Sequence, residues 1–219
     1  MSTILERPDT EAILANRLHL ERETRGWTLA DLAARSGVSR AMLSKIERRE
    51  ASPTAALLGR LSAAFGLTLS QLFAQMEDCP EDYQGGQVAR ADQQPVWRDP
   101  ATGFLRRSLS PPGPEPLELV WSELPPGAEI AYPAASLAFI ADQQLVVIGG
   151  DLSIVQGGTV HALGAGDCLR FGPPRDVTFR NPGAARCRYI IAVLRVAEGA
   201  GSRRAGRGAN SGRRPSDPV

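Results

Sequence analysis

The sequence predicts an α + β chain of two domains, an all-α head and an all-β body, and three observations carry that prediction. From about Glu11 to Phe73 the apolar residues recur at helical spacing. Beyond residue 88 they fall into short runs bounded by Gly and Pro, the pattern of strands joined by tight turns. Between the two lies MEDCPEDYQGGQ, residues 76–87, which has no apolar period and holds acids, Gly and Pro, as a linker does. The head is thus expected over residues 11–75 and the body over 88–197. The Arg-rich segment 198–219 lacks apolar content and reads as a disordered basic tail. A length of 219 residues accommodates two small domains.

Each helix has its own start and stop. The first, from Glu11 to about Arg25, turns Leu14 and Leu18 to one side, although Glu21 stands where another apolar residue is expected. Thr28 precedes LADLAAR and Ser39 precedes RAMLSKIE, each in the position of a capping hydroxyl. Ser52-Pro53 precedes TAALLGRL, with Pro expected at the first helical position. A short fifth helix is read at Ser70–Phe73, and Gly26, Gly37 and Gly66 mark stops. In the body the strands read LELVWS, AEIAY, LAFI, QLVVI, LSIVQ, TVHAL, CLRF, VTFR and RCRYIIAVLRV. The breaks PPG, GG, GAGD, GPP and NPG give the spacing of an all-β sandwich or barrel.

A net charge of +1 conceals a division. Residues 1–75 carry an excess of two positive charges, residues 76–198 an excess of five negative ones, and residues 199–219 an excess of four positive ones. A basic head on an acidic body fits a head that meets an anion. No apolar run approaches the ~18–20 residues of a membrane span. The N-terminus shows no basic segment followed by an apolar core. The expectation is a cytoplasmic protein. Three cysteines do not make a disulfide framework.

The head's informative stretch is TLADLAARSGVSRAMLSKIE, residues 28–47. Two helices crossing steeply need a small residue at the crossing, here Ala33, and a glycine in the turn, here Gly37. With Leu43 and Ile46 inward, Arg40, Ala41, Ser44, Lys45 and Arg48 must line the opposite face. That face is short-chained at its start and basic at its end, which suits the major groove of double-stranded DNA. Backbone N–H groups near Thr28 and Ser39 could bind phosphates. The other reading of the same residues is a packed helical unit with a solvated, Arg-rich face.

Trp27-Thr28, Leu32-Ala33, Gly37-Val38-Ser39, Leu43-Ser44, Ile46-Glu47 and Ser52-Pro53-Thr54 together resemble the helix-turn-helix domain of phage-repressor or XRE type. The resemblance implies a five-helix bundle in which residues 39–48 are the recognition helix. Leu29 stands where that family often has a phosphate-bonding Gln, and Arg49 where it usually has Gly. Arg49 joins the DNA-facing set as a further phosphate contact.

The body resembles a cupin, a jelly-roll barrel of two sheets, on Leu124-Pro125-Pro126-Gly127, LVVIGGDLSIV, Gly164-Ala165-Gly166-Asp167 and Phe179-Arg180-Asn181-Pro182-Gly183. Metal-dependent cupins place two His and a Glu in one motif and a His in the next. Here those places fall on Pro133, Ala135, Gln143 and Val177, which cannot make such a site. No metal, no cofactor and no catalytic residues are therefore expected. An XRE head on a cupin body implies a homodimeric transcription regulator. Trp121, Tyr132, Phe139, Gln143, Phe171 and Tyr189, with Arg175 and Asp176 at the mouth, are the expected lining of a pocket for a small organic effector. Alternatively these residues fill the barrel, and the body only dimerises or docks a partner protein. A third possibility is a cupin enzyme tethered to DNA. Cys168 and Cys187 fall on strands of one sheet system, where they are either a redox pair or small buried hydrophobes, and Cys79 lies in the linker.

Overall fold

The computed structural model describes residues 9–73, 86–113 and 115–196. The expected linker, apart from Gly86 and Gln87, lies outside the described residues together with Cys79 and the basic tail. Five helices come first: α1 (Thr10–Thr24), α2 (Leu29–Ser36), α3 (Arg40–Glu47), α4 (Ala55–Phe65) and α5 (Leu69–Leu72). Every one begins at a side-chain cap, with Asp9, Thr28, Ser39, Thr54 and Thr68 accepting from the backbone N–H three residues on. The start of α4 is a correction to the sequence reading. The cap is Thr54 and not Ser52, because the Thr54 hydroxyl is the one within reach of the Leu57 N–H, at 3.3 Å, and Pro53 therefore precedes the helix.

The turn after α2 closes on Gly37 at φ 66°, whose N–H donates to the Ala33 carbonyl at 2.9 Å. After α3 the chain takes the same left-handed conformation at Arg49, φ 61°, the one non-glycine residue with positive φ among those described. A side chain there costs about 1–2 kcal/mol of backbone strain. Arg49→Gly is therefore expected to stabilise the protein by about 1 kcal/mol, read as a raised urea midpoint at unchanged m-value. No rise would mean that the Arg49 side chain offsets its own strain through Asn16, to which it donates at 3.4 Å.

Leu14, Leu18, Leu32, Val38, Leu43, Ile46, Leu58, Leu61 and Phe65 fill the head's interior. Trp27 stacks on Phe65 with ring centroids 5.7 Å apart. The head packs directly on the body. A Cβ at Gly59 of α4 would sit 2.9 Å from the Tyr132 ring, closer than carbon atoms approach. Phe73 meets Trp97, and Trp97 meets Phe104, in a chain of rings 5.9 and 6.4 Å apart. The Thr10 hydroxyl donates to the Val96 carbonyl at 2.8 Å.

Ten strands build the body: β1 (Val96–Arg98), β2 (Leu105–Ser108), β3 (Leu117–Leu124), β4 (Glu129–Tyr132), β5 (Ile140–Gly149), β6 (Leu152–Gln156), β7 (Thr159–Leu163), β8 (Cys168–Arg170), β9 (Val177–Arg180) and β10 (Cys187–Arg195). They form two antiparallel sheets, ordered β1-β2-β3-β10-β5-β8 and β4-β9-β6-β7. Strand period two sorts each strand's residues. Glu118, Val120, Ser122 and Leu124 of β3 are buried between the sheets, and Leu117, Leu119 and Trp121 face away. At the β5–β6 turn Gly150 lies where a Cβ would be 2.9 Å from the Cys187 backbone, so only glycine fits. The buried Asn181 amide joins two loops by donating to the carbonyls of Leu124 and Ala185 at 2.9 and 2.8 Å.

Two strands were not expected, and one expected strand is absent. Of LAFI, Leu137 ends the 3₁₀ turn Ala134–Leu137, Ala138 and Phe139 continue as a turn, and only Ile140 enters β5. The cause is local: Pro133 and Ser136 close the turn, the hydroxyl bonding back to the Pro133 carbonyl at 2.7 Å. β1 and β2 are too short and too Arg-rich to show an apolar period, and Asp99 joins them through bonds to Ala101 N–H and Thr102 Oγ1.

Candidate nucleic-acid interface and body cavity

α3 is held so that one face is buried and the other is open. Leu43 and Ile46 point inward and are almost fully buried, whereas Arg40, Ala41, Lys45, Arg48 and Arg49 are exposed and Ser44 is half-buried. Its main contacts are with α1 and α2, and the residues of its outer face are open to solvent. What anchors it is an ion pair that the sequence pattern does not reveal. Arg22 of α1 donates through Nε and Nη2 to the two Glu47 oxygens at 2.8 and 3.0 Å, and through Nη1 to the Trp27 carbonyl at 2.9 Å. His19 reaches Glu47 at 3.1 Å. Burial pushes the Glu47 carboxyl up, but the hydrogen bonds from Arg22 and His19 outweigh it and hold the group below the usual carboxylate range.

The eight residues expected to face DNA are not equivalent. Arg40 and Lys45 form no hydrogen bond or ion pair with another described residue, which leaves both heads available to an incoming anion. Arg48 is engaged twice. It pairs with both carboxylate oxygens of Glu50 at 2.7 and 2.9 Å, and it donates to the Ser44 hydroxyl at 2.6 Å. Any contact of Ser44 or Arg48 with DNA exchanges these bonds. Thr28 is likewise occupied: its N–H and hydroxyl donate to Asp31 at 2.8 and 2.7 Å, and its oxygen accepts from the Asp31 N–H. The Asp31 carboxylate makes the start of α2 a poor phosphate site. Ser39 caps α3 through Met42 N–H, and no acid occupies that first turn, so its leading N–H groups face an electropositive end. Arg49, at the far end, projects beside Asn16.

Between the sheets lies a cavity of about 80 Å³ whose walls include Tyr132, Gln143 and Tyr189 from the expected set, with Val177 beside them. Ser62, Thr68 and Leu69 of the head close its other side. Burial raises the phenols of Tyr132 and Tyr189 above their ordinary range, so both stay protonated. Gln143 and Phe171 also line a wider, more open cavity of about 370 Å³ next to it. Trp121, Phe139 and Arg175 line neither. Trp121 lies on the outward face of β3, with its indole N–H on Glu123 at 3.1 Å. The Arg175 stem lies over Gly157, and Asp176 accepts from the Ala134 N–H at 2.8 Å.

The residues standing where a cupin holds its metal do not suit one. Of those positions Val177 and Gln143 line the cavity with an apolar and a neutral side chain, and Ala135 is exposed. Among the described residues no group of three or more His, Cys, Asp or Glu is gathered closely enough to hold an ion. Cys168 is exposed on β8 and Cys187 buried on β10, on opposite sides of β5, with burial and Asp151 raising the Cys187 thiol to about 11. Val146 pairs with Cys168 on one side and Ile190 on the other, so the two sulfurs are held about two strand spacings apart and cannot pair. Arg106, Glu118 and Ser122, which complete the cavity's polar lining, were missed because they lie on strands whose apolar alternation they interrupt.

The chain is similar to several known proteins. Residues 18–72 match the family model described as helix-turn-helix. The chain is 29% identical over 171 residues to the HTH-type transcriptional regulator SutR of Escherichia coli K12, covering 78% of this chain and 88% of that one. Among solved structures it is similar to an HTH_3 family transcriptional regulator from Vibrio cholerae, with TM-score 0.67 and 22% identity over 86% of this chain and 98% of the other. A cupin_2 domain of an XRE family regulator from Enterobacter cloacae matches 43% of this chain and 98% of its own, at 19% identity and TM-score 0.40.

Proposed function

We propose, on the premise that the chain is a helix-turn-helix transcription regulator of the XRE type with a cupin-fold body, that it binds a palindromic operator as a homodimer and answers to a small organic effector held in the body. The observation that carries the DNA-binding reading is the outer face of α3, with Arg40 and Lys45 unengaged on an exposed helix whose inner face is locked to α1 by Arg22 and Glu47. One such helix buries too little surface for tight, specific binding, and a two-fold dimer presents two of them a helical turn of DNA apart. The body is read as a binding unit: apolar side chains, the phenols of Tyr132 and Tyr189 and the hydroxyl of Ser122 surround the charged pair Arg106 and Glu118 in its cavity. No described helix is long and apolar enough to cross a membrane.

The dimer contact that fits is the outer face of the larger sheet. Leu117, Leu119 and Trp121 of β3 lie beside Leu194, Ala192 and Ile190 of β10 in register, and Leu117 is 53% exposed. Val146 of β5 extends the patch beside Ile190. A self-complementary apolar surface of this kind is what a two-fold interface buries. The double variant Leu119→Glu/Ile190→Glu is expected to sediment as a monomer and to lose tight operator binding while its heat unfolding stays cooperative. A variant that remains dimeric would place the interface elsewhere.

The regulator reading itself is tested by capturing bound DNA genome-wide and titrating the enriched site at two salt concentrations. A short inverted repeat preferred over random DNA supports it. Weak, sequence-blind, salt-sensitive binding would overturn it.

A further inference from the structure

The cavity between the sheets contains a charge imbalance. Arg106 of β2 is 7% exposed and donates through Nη2 to the Ser70 hydroxyl of α5 at 2.7 Å, but its buried Nη1 has no hydrogen-bond partner. Glu118 of β3 faces the same space. Its Oε1 accepts from the Thr68 hydroxyl at 2.8 Å and lies 3.1 Å from Arg195 Nε, while its buried Oε2 has no partner. Arg195 therefore already answers the Glu118 charge, and the Arg106 guanidinium is the cation left over. A buried cation with an unused N–H is costly unless something arrives to meet it. Ser122, Tyr132 and Tyr189 offer neutral hydroxyls around it but no second carboxylate.

We propose that this cavity binds a small carboxylate carrying a hydroxyl or amino group beside the carboxyl, with the carboxylate on Arg106 Nη1 and the neighbouring donor on Glu118 Oε2. The proposal rests on the effector reading above and names the chemistry of that effector. Two unpartnered buried atoms of opposite character, one donor and one acceptor, are complementary to such a molecule and to neither a plain hydrocarbon nor a cation. About 80 Å³ is room for roughly two or three water-sized groups, which limits the ligand to a short-chain acid. The wider cavity lies beside it, with Leu137, Ile140 and Gln143 as a common wall.

The same groups connect the ligand to the DNA-binding head. Arg106 and Glu118 belong to the body, but their present partners Ser70 and Thr68 belong to the head. A carboxylate that draws the guanidinium toward the cavity competes directly with Ser70. Occupation of the site therefore loosens or re-aims the packing of α4 and α5 on the body, and with it the placement of α3.

The test is calorimetric titration of the full-length protein with lactate, alanine, propionate, lactamide and inorganic phosphate, followed by operator titration with and without the probe that binds. Lactate or alanine is expected to bind, whichever carries the preferred donor, propionate more weakly, and lactamide not at all. Arg106→Met keeps the stem and removes the charge, so it is expected to fold with an unchanged or higher melting temperature and to lose at least tenfold in affinity for the bound probe. Ser70→Ala is expected to keep probe affinity within about threefold and to lose the change in operator affinity. Absence of binding by every carboxylate, equal binding of lactamide, phosphate alone binding, or an Arg106→Met protein that binds like wild type would each overturn the proposal. A deproteinised cell extract separates this from the parent reading. If it shifts operator affinity equally in wild type and Arg106→Met, an effector exists but is not this acid; if it shifts neither, the effector reading itself fails.

Discussion

Glu47→Ala is expected to destabilise the protein by about 1.5–3 kcal/mol, the usual worth of hydrogen bonding to a charged group. The substitution leaves the Arg22 guanidinium, which is 8% exposed, with only the Trp27 carbonyl, His19 and the solvent-facing Glu23 around it. A loss of that size is a large share of a domain's ordinary ~5–15 kcal/mol, and it releases the helix that carries Arg40 and Lys45. Urea unfolding of wild type, Glu47→Ala and Glu47→Gln measures it, with Gln expected to retain part of the bonding. An unchanged midpoint in the Ala variant would mean that the hydrophobic contacts of Leu43 and Ile46 hold α3 by themselves. The pair also sets an acid response. Because the folded Glu47 pKa lies below its unfolded value, its contribution is fully present above the unfolded carboxyl's ~4.3 and is lost as pH falls through the lower folded value. The gap in stability between wild type and Glu47→Gln should therefore be steady near neutrality and close progressively below about pH 4.

Arg40→Ala and Lys45→Ala are each expected to weaken operator binding by about 1–3 kcal/mol if they meet base edges, with the association state of the protein unchanged. Their exposed side chains have no hydrogen bond or close ion pair to break, although the Lys45 charge is partly answered by Glu50 nearby. Arg48→Ala should have the smaller effect of the three, because Glu50 and Ser44 already use its N–H groups and binding must first break those bonds. Titration at two salt concentrations separates the modes of contact. A phosphate contact weakens all sequences alike and lowers the salt slope by about one, whereas a base contact relaxes preference at one position of the site. If both variants bound the operator like wild type, α3 would not be the reading helix.

The head was largely legible in the chain because its signals are local. A hydroxyl three residues before a backbone N–H makes a cap, a left-handed position after α2 needs Gly37, and Leu43 with Ile46 fixes which side of α3 faces out. The exception is instructive: Arg49 occupies the same conformation that glycine fills after α2, and the helix ends there without the residue that announces it. The anchoring of α3 was not legible, since Arg22 and Glu47 lie 25 residues apart and meet only when α1 and α3 pack.

In the body, alternation along the strands and the Gly and Pro breaks pointed to a two-sheet fold, and Pro133, Ala135, Gln143 and Val177 at the four ligand positions of metal-dependent cupins were the ground for expecting no metal there. Which side chains face the cavity was decided by register alone. A strand's parity places Trp121 outside and Ser122 inside, and a one-residue slip would reverse them. Arg106 and Glu118 look like surface charges in the chain, because a polar residue in a short strand ordinarily marks the solvent face. The closing of the two sheets, with Thr68 and Ser70 of the head laid against them, buries both, and burial makes their unused hydrogen-bonding atoms costly enough to matter.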